Sequence, residues 1–368
     1  MWERTVSVAA VLASVTALGI AGCGGSSGGG GSAPSMPPPT VPPPTTPPPT
    51  TPPVGATVVA TDLRVPWSIA FHGTTPLVSE RGTARIQAVA ANGSLTTIAT
   101  IAGVNGTGEG GLLGIAVRDG YLYAYFTAGN ENRIERFPLT GDGVNARLGA
   151  AQVLLRGIPS GGNHNGGRIA FGPDGMLYAS TGDAGSTSRS QNLNSLGGKI
   201  LRMTPEGNVP AGNPFSGSYV YSYGHRNVQG LAWAADGSMY ASEFGQNTWD
   251  ELNLIKAGGN YGWPTVEGRA GNPGYVDPLQ QWATSDASPS GIAVSGGNVY
   301  IANLRGERLR KVPLSAPATS TEFYVRQYGR LRDVVAAPDG RLYLLTNNTD
   351  GRGTPQPGDD RLVSVPAP

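Results

Sequence analysis

Cysteine is nearly missing. Cys23 is the only one in 368 residues, which excludes an internal disulfide and argues against a thiolate metal centre. Histidine is scarce too, at His72, His164 and His225, so an imidazole-built zinc site would consume almost all of them. Charge is thin: 14% of residues are charged, against about 25% in an average soluble domain. The formal net charge of +1 lacks the basic excess of nucleic-acid binders, so no nucleic-acid partner is expected. Few charges and little heptad patterning argue against a helical bundle or coiled coil. Glycine is abundant instead. Of the 56 glycines, 47 fall within residues 56–368, about twice the usual share of ~7%. That composition suits short strands joined by tight turns.

The one long apolar run is at the N-terminus. Residues 5–22 are apolar or small and follow Arg4, as in a secretory signal. The run ends Ile20-Ala21-Gly22-Cys23, which resembles a bacterial lipobox, with lipid carried on Cys23. An ordinary membrane anchor, or a signal with a chance cysteine, is the alternative. Residues 24–33 are nearly all Gly and Ser, and residues 34–53 hold twelve prolines. The first stretch is a flexible chain and the second an extended polyproline II spacer. The expected order is a signal at 1–22, a lipidated tether at 23–55 and a folded domain at 56–368. This places the domain in the cell envelope, held to a membrane through its lipid alone. Stable anchoring of that kind needs more than one acyl chain.

Within the domain one pattern recurs: a short apolar run, a turn with Gly or Asp-Gly, then a second apolar run. The first runs center on Ile69, Ile115, Ile169, Leu231, Ile292 and Val334, giving steps of 46, 54, 62, 61 and 42 residues. These lie near the ~40–50 residues of a propeller blade, with insertions in the middle. Asp174-Gly175, Asp236-Gly237 and Asp339-Gly340 are strong hairpin signals. Six copies predict an all-β, six-bladed β-propeller; a β-sandwich or open solenoid is the alternative. After Asp333 only three strands are legible, at 333–337, 341–346 and 361–365. The fourth is expected from Thr57–Thr61, closing the ring and removing an open sheet edge.

Several segments break the repeat. Pro159–Arg168 sets His164 in a glycine-rich loop before an inner strand, at the channel mouth. A neutral imidazole there can accept a proton near pH 7, or simply bond a loop carbonyl. Tyr223–Gly230 brings polar groups, Arg226 and Asn227 among them, to another inner strand, as a binding surface or a solvated loop. Ser242–Glu251 and Gly259–Pro264 offer oxygen donors of the kind calcium takes, though at no EF-hand spacing. Arg305, Arg330 and Arg332 are cationic; Arg330 and Arg332 stand two apart and share a face if extended. Solvated arginines are the plainer reading. Gly106–Gly111 fits G-x-G-x-x-G, but it leads into a strand rather than a helix, so it carries no dinucleotide signal.

Taken together, Glu109–Ala116, Asn163–Phe171, Tyr223–Gly230, Glu251–Pro264 and Gly329–Gly340 resemble, in order, the soluble quinoprotein glucose/sorbosone dehydrogenases, especially the aldose sugar dehydrogenases. The resemblance implies pyrroloquinoline quinone (PQQ) over the channel, assisted by calcium, and oxidation of aldoses at C1 to lactones with electrons passed to an external acceptor. It implies His164 as general base and Arg226 as contact to the reactive quinone oxygens. Asn227 would bind the cofactor, and Arg305, Arg330 and Arg332 would neutralise its carboxylates. Gly245 and Gln246 would offer carbonyls to the cofactor-side calcium; Glu251 and Tyr261 match a second, structural calcium site. Glu109, in the cofactor site, stands where the glucose dehydrogenases have glutamine near the base. Asn163 replaces an aspartate, Gln246 a proline and Arg305 a lysine. A non-catalytic envelope propeller that binds glycans or a protein partner is the alternative. A lactonase-like hydrolase would need more channel carboxylates than the chain supplies.

Overall fold

Short apolar runs separated by glycine turns pair into antiparallel sheets, and the computed structural model describes this for residues 55–368. There are six sheets in the described residues, each of four main strands. Blade 1 comprises Pro66–His72, Thr75–Glu80, Arg85–Val89 and Leu95–Thr100. Blade 2 comprises Leu112–Arg118, Tyr121–Ala128, Glu131–Thr140 and Gln152–Pro159, with the short strand Arg147–Leu148 added to the third. Blade 3 runs Ile169–Phe171, Leu177–Ser180, Lys199–Met203 and Val220–Tyr223. Blade 4 runs Val228–Trp233, Met239–Glu243, Trp249–Ile255 and Gln280–Ala283. Blade 5 is Pro289–Ser295, Asn298–Asn303, Arg308–Pro313 and Thr321–Phe323. Helix among the described residues is limited to Ser188–Gln191 and the 3-10 turn Gly143–Asn145.

Blade 6 closes the ring as expected. Leu331–Ala336, Leu342–Thr346 and Leu362–Val365 are completed by Thr57–Ala60, antiparallel to Leu362–Val365 with Thr57 opposite Ser364. The expected signal, Cys23 and all but the last residue of the tether lie outside the described residues.

The core is a ring of six apolar clusters, each between neighbouring blades. Leu77 and Ile86 of blade 1 meet Leu112 and Ile115 of blade 2; Leu345 and Leu362 of blade 6 meet Ile69 and Val78 of blade 1. The repeat also carries an aromatic contact across seams. A second-strand tyrosine packs edge-on against the inner strand of the next blade: Tyr123 on Phe171 at 4.9 Å, Tyr178 on Trp233 at 5.1 Å, Tyr343 on Phe71 at 5.4 Å. Such pairs contribute about 0.5–1.5 kcal/mol beyond their buried area.

The inner strands approach one another closely. A Cβ at Gly114 would strike the Gly167 carbonyl, and one at Gly291 would strike Asp333. Strand direction alternates within each blade. Loops leading into the innermost strands therefore open on the same mouth as loops leaving the second strands. The Asp-Gly hairpins, and His72 with them, lie on the opposite mouth.

Candidate active site

Most side chains with site chemistry come from those two loop sets; Arg332 lies in an inner strand, Glu243 ends a second strand, and Glu251, Tyr261, Trp263 and Glu267 come from the third strand of blade 4 and the loop after it. His164 sits between the outer strand of blade 2 and the inner strand of blade 3. Its φ of +54° is left-handed, a conformation costing a non-glycine residue about 1–3 kcal/mol. Gly182 makes it possible, since any Cβ there would strike the His164 carbonyl. The ring Nδ1 donates to Asp183 Oδ1 at 2.8 Å, and Trp263 Nε1 donates to Asp183 Oδ2 at 2.9 Å. Gly185 N adds a third bond, at 2.8 Å. Burial alone would raise the Asp183 carboxyl, but the hydrogen bonds from His164, Trp263 and Gly185 outweigh it and hold the group below the usual carboxylate range. An ionised Asp183 fixes the proton on Nδ1 and leaves Nε2 as a free acceptor. Glu109 Oε2 accepts the His164 backbone N–H at 3.0 Å, while its Oε1 accepts from Arg352 at 2.9 Å.

Beside this base lies a cavity of about 360 Å³, whose wall includes Asn165, Gly166, Glu109 and five arginines: Arg81, Arg305, Arg330, Arg332 and Arg352. The three expected arginines are thus brought together, and two further ones join them. Arg332 is buried and donates only to neutral oxygens, those of Gln229, Ser290 and Asn347, at 3.1–3.3 Å. Burial, then the neighbouring Arg81 charge, push its guanidinium down to about 9. A guanidinium keeps its proton in proteins, so an anion is what would relieve it. Arg330 pairs with Asp350 at 3.2 Å.

Asn227 lies just beneath the wall. Its Oδ1 accepts from Gly166 N at 3.0 Å, and its buried Nδ2 has no partner. Arg226 stands over the Trp263 ring at 5.5 Å and bonds the Phe244 carbonyl at 3.2 Å, with its buried Nε unpartnered. The Nε atoms of Arg330 and Arg332 are likewise buried and unpartnered. This is a surplus of donors around a space, the complement of a polyanionic, oxygen-rich ligand.

Gly245 and Gln246 follow the second strand of blade 4. The backbone N–H groups of Gln246, Asn247, Thr248 and Trp249 all converge on Glu267 Oε1, at 2.6–3.2 Å. This nest fixes the loop that carries the two expected calcium carbonyls. Glu251 and Tyr261 flank a separate buried cluster. Glu251 faces Glu243 across the sheet. Glu243 Oε2 bonds His225 Nδ1 at 2.8 Å, and the His225 ring stacks on Tyr261 at 4.5 Å. Burial, then the Glu243 charge, push the Glu251 carboxyl up to about 8, and Asn253 Oδ1 beside it is unpartnered. Two apposed carboxylates and an orphaned oxygen fit a hard cation. Among the described residues no three acidic, His or Cys side chains gather to hold a metal, so such a site relies on backbone oxygens as well.

Sequence reasoning missed Asp183, Trp263, Glu267, Arg81 and Arg352. Position could have found two of them: Arg81 and Asp183 lie just beyond second strands of their blades, as do Gly245 and Arg305.

Residues 63–354 match the glucose/sorbosone dehydrogenase family. The PQQ-bound aldose sugar dehydrogenase of Streptomyces coelicolor is 52% identical and superposes with a TM-score of 0.81, over 85% of this chain and 99% of that one. The quinoprotein glucose dehydrogenase B of Acinetobacter calcoaceticus is 31% identical over 65% of this chain and 59% of its own. The aldose sugar dehydrogenase YliI of Escherichia coli is 27% identical over 81% of this chain and 91% of its own. The chain belongs to the glucose/sorbosone dehydrogenase family and is an oxidoreductase.

Proposed function

We propose that the protein is a PQQ-dependent dehydrogenase that oxidises aldoses at C1 to lactones. The observation that carries this is one mouth holding both an oriented histidine base and a cavity lined with arginines. A tricarboxylate fits the arginines, and the unpartnered N–H groups of Asn227, Arg226, Arg330 and Arg332 fit its ring oxygens and nitrogens. When bound, the quinone supplies the two-electron acceptor for the C1 hydride.

The chain's own work is positioning and proton transfer. His164 Nε2 takes the C1 hydroxyl proton while Asp183 balances the imidazolium that forms. Arg226 offers positive charge where negative charge develops. Glu109, bonded to the His164 amide, holds the base loop and stands ready to accept sugar hydroxyls. Gly245 and Gln246 carbonyls would hold one calcium ion on the loop that Glu267 clamps, and Glu251 with the Tyr261 carbonyl would hold a second. Lipid on Cys23 and the proline-rich tether keep the domain at the cell envelope, within reach of an external electron acceptor.

Reconstitution tests this. Apo-protein is given PQQ and calcium and assayed for dye reduction with a panel of aldoses. Lactone formation is the expected outcome. Folded protein that binds neither PQQ nor produces lactone would overturn it in favour of a binding propeller.

A further inference from the structure

Five arginines line the cavity, but they are not equivalent. Arg330 is neutralised by Asp350 and Arg352 by Glu109. Among the described residues Arg81, Arg305 and Arg332 form no ion pair. Arg305 stands at the exposed rim and Arg332 is buried. Arg81 is half-buried, and its Nε is shielded from solvent without a partner. Burial disfavours its charge most, and Arg352 adds repulsion against the attraction of Asp350 and Glu109.

The fold invests in holding Arg81 there. It follows the second strand of blade 1, its N–H donates to Val65 O at 3.1 Å, and its carbonyl accepts from Leu112 N at 3.0 Å. Gly111 is the last glycine of the Gly106–Gly111 run that carries no dinucleotide chemistry. Its φ is +133°, and a Cβ there would lie 2.8 Å from Arg81 Cγ and would strike the Arg81 carbonyl. The glycine leaves the space in which the arginine stem lies.

We propose that Arg81 is a further binding residue for the anionic cofactor, the third uncompensated cation of the cavity beside Arg305 and Arg332. This rests on the quinone reading above. A cation without a counterion, held at a cavity wall, is destabilising until an anion arrives. Removing it therefore has opposite effects on the empty and the filled protein, which a merely structural arginine would not.

The test titrates PQQ, with calcium present, into the full chain and into Arg81→Gln, following quinone absorbance at equilibrium and melting curves of each protein without quinone. The expected result is about a 10- to 100-fold loss of quinone affinity, the range of a lost charge-assisted contact, with a quinone-free melting temperature equal to or above wild type. Arg85→Gln, an exposed arginine on the same blade, controls for bulk charge and is expected to bind as wild type does. Unchanged affinity in Arg81→Gln overturns the inference, as does equal weakening in Arg85→Gln. Should Arg81→Gln fail to fold, Arg81→Met decides: it keeps an unbranched stem beside Gly111 without the charge, so weaker binding is expected and wild-type binding overturns the inference. If wild-type protein itself does not bind PQQ, the quinone reading fails first, and the two failures are thereby told apart.

Discussion

Asp183 joins two residues distant in sequence, His164 and Trp263, through its two carboxylate oxygens at 2.8 and 2.9 Å. One oxygen sets the tautomer of the base and the other is pinned by the indole, so the carboxylate cannot rotate away from the imidazole. This relation makes His164 a directed acceptor rather than a loop histidine.

His164→Ala is expected to abolish turnover yet bind quinone normally, because the base acts on substrate. Asp183→Asn should lower kcat by about 10²–10⁴-fold, the range of general-base help, since the amide can stabilise the wrong tautomer. Steady-state kinetics with PQQ titrations on both variants check this. His72, whose Nε2 bonds the Gly141 carbonyl in a turn at the far mouth, should be replaceable by Ala with kcat unchanged.

Acid sensitivity follows from the same carboxylate. Its folded pKa lies below the ordinary value, so the folded state binds this proton less tightly than the unfolded chain. Its contribution to stability is full above the unfolded pKa of about 3.9 and is lost as pH falls through the lower folded value. Denaturant unfolding from pH 5 to pH 2 should show a steeper loss for wild type than for Asp183→Asn.

Replacing Arg330 and Arg332 together by Ala should weaken quinone binding by at least about a hundredfold, at roughly 1.5–3 kcal/mol per charged contact. The fold should survive, because the blades are held by their strand pairing and by apolar clusters that neither arginine joins. Equilibrium titration alongside a melting curve separates the two effects.

Much of the architecture was legible because the repeat is local. Each inner run and its partner are a few residues apart, so Ile169 and Leu177, or Val334 and Leu342, announce a hairpin without knowledge of the rest. Closure by Thr57–Ala60 was legible only as a deficit, a last blade one strand short. The cavity arginines were partly legible, since Arg330 and Arg332 share one short segment. Arg81 and Asp183 were legible by position alone, just beyond second strands, and Glu267 not even so, because each acquires its role from groups far along the chain. Arg81 meets Gly111 and Leu112 of the next blade; Asp183 meets Trp263; Glu267 receives the amides of residues 246–249. Their neighbours in sequence are ordinary.

Calcium removal should lower the melting temperature of the quinone-free protein, because it leaves Glu243 and Glu251 apposed and buried with no cation between them. Glu251→Gln relieves that repulsion and should make the melting temperature insensitive to chelation. A wild-type curve unmoved by thorough chelation, in calorimetry, would count against the site.

Trimming the chain through Ala60 should leave Leu362–Val365 as a bare sheet edge. Light scattering on heating should then rise earlier, and the melting temperature should fall.

The pairing of Thr57 with Ser364 also bears on when the domain can be finished. Contacts between sequence-distant strands slow folding, because loop-closure entropy must be overcome before they form. Here the final contact joins the first strand to the last, so blades can form one by one during synthesis while the ring stays open to the end. A chain threaded across a membrane from its N-terminus would therefore complete its last blade only after the final strand had emerged. The order of export and the order of folding would then be compatible by construction.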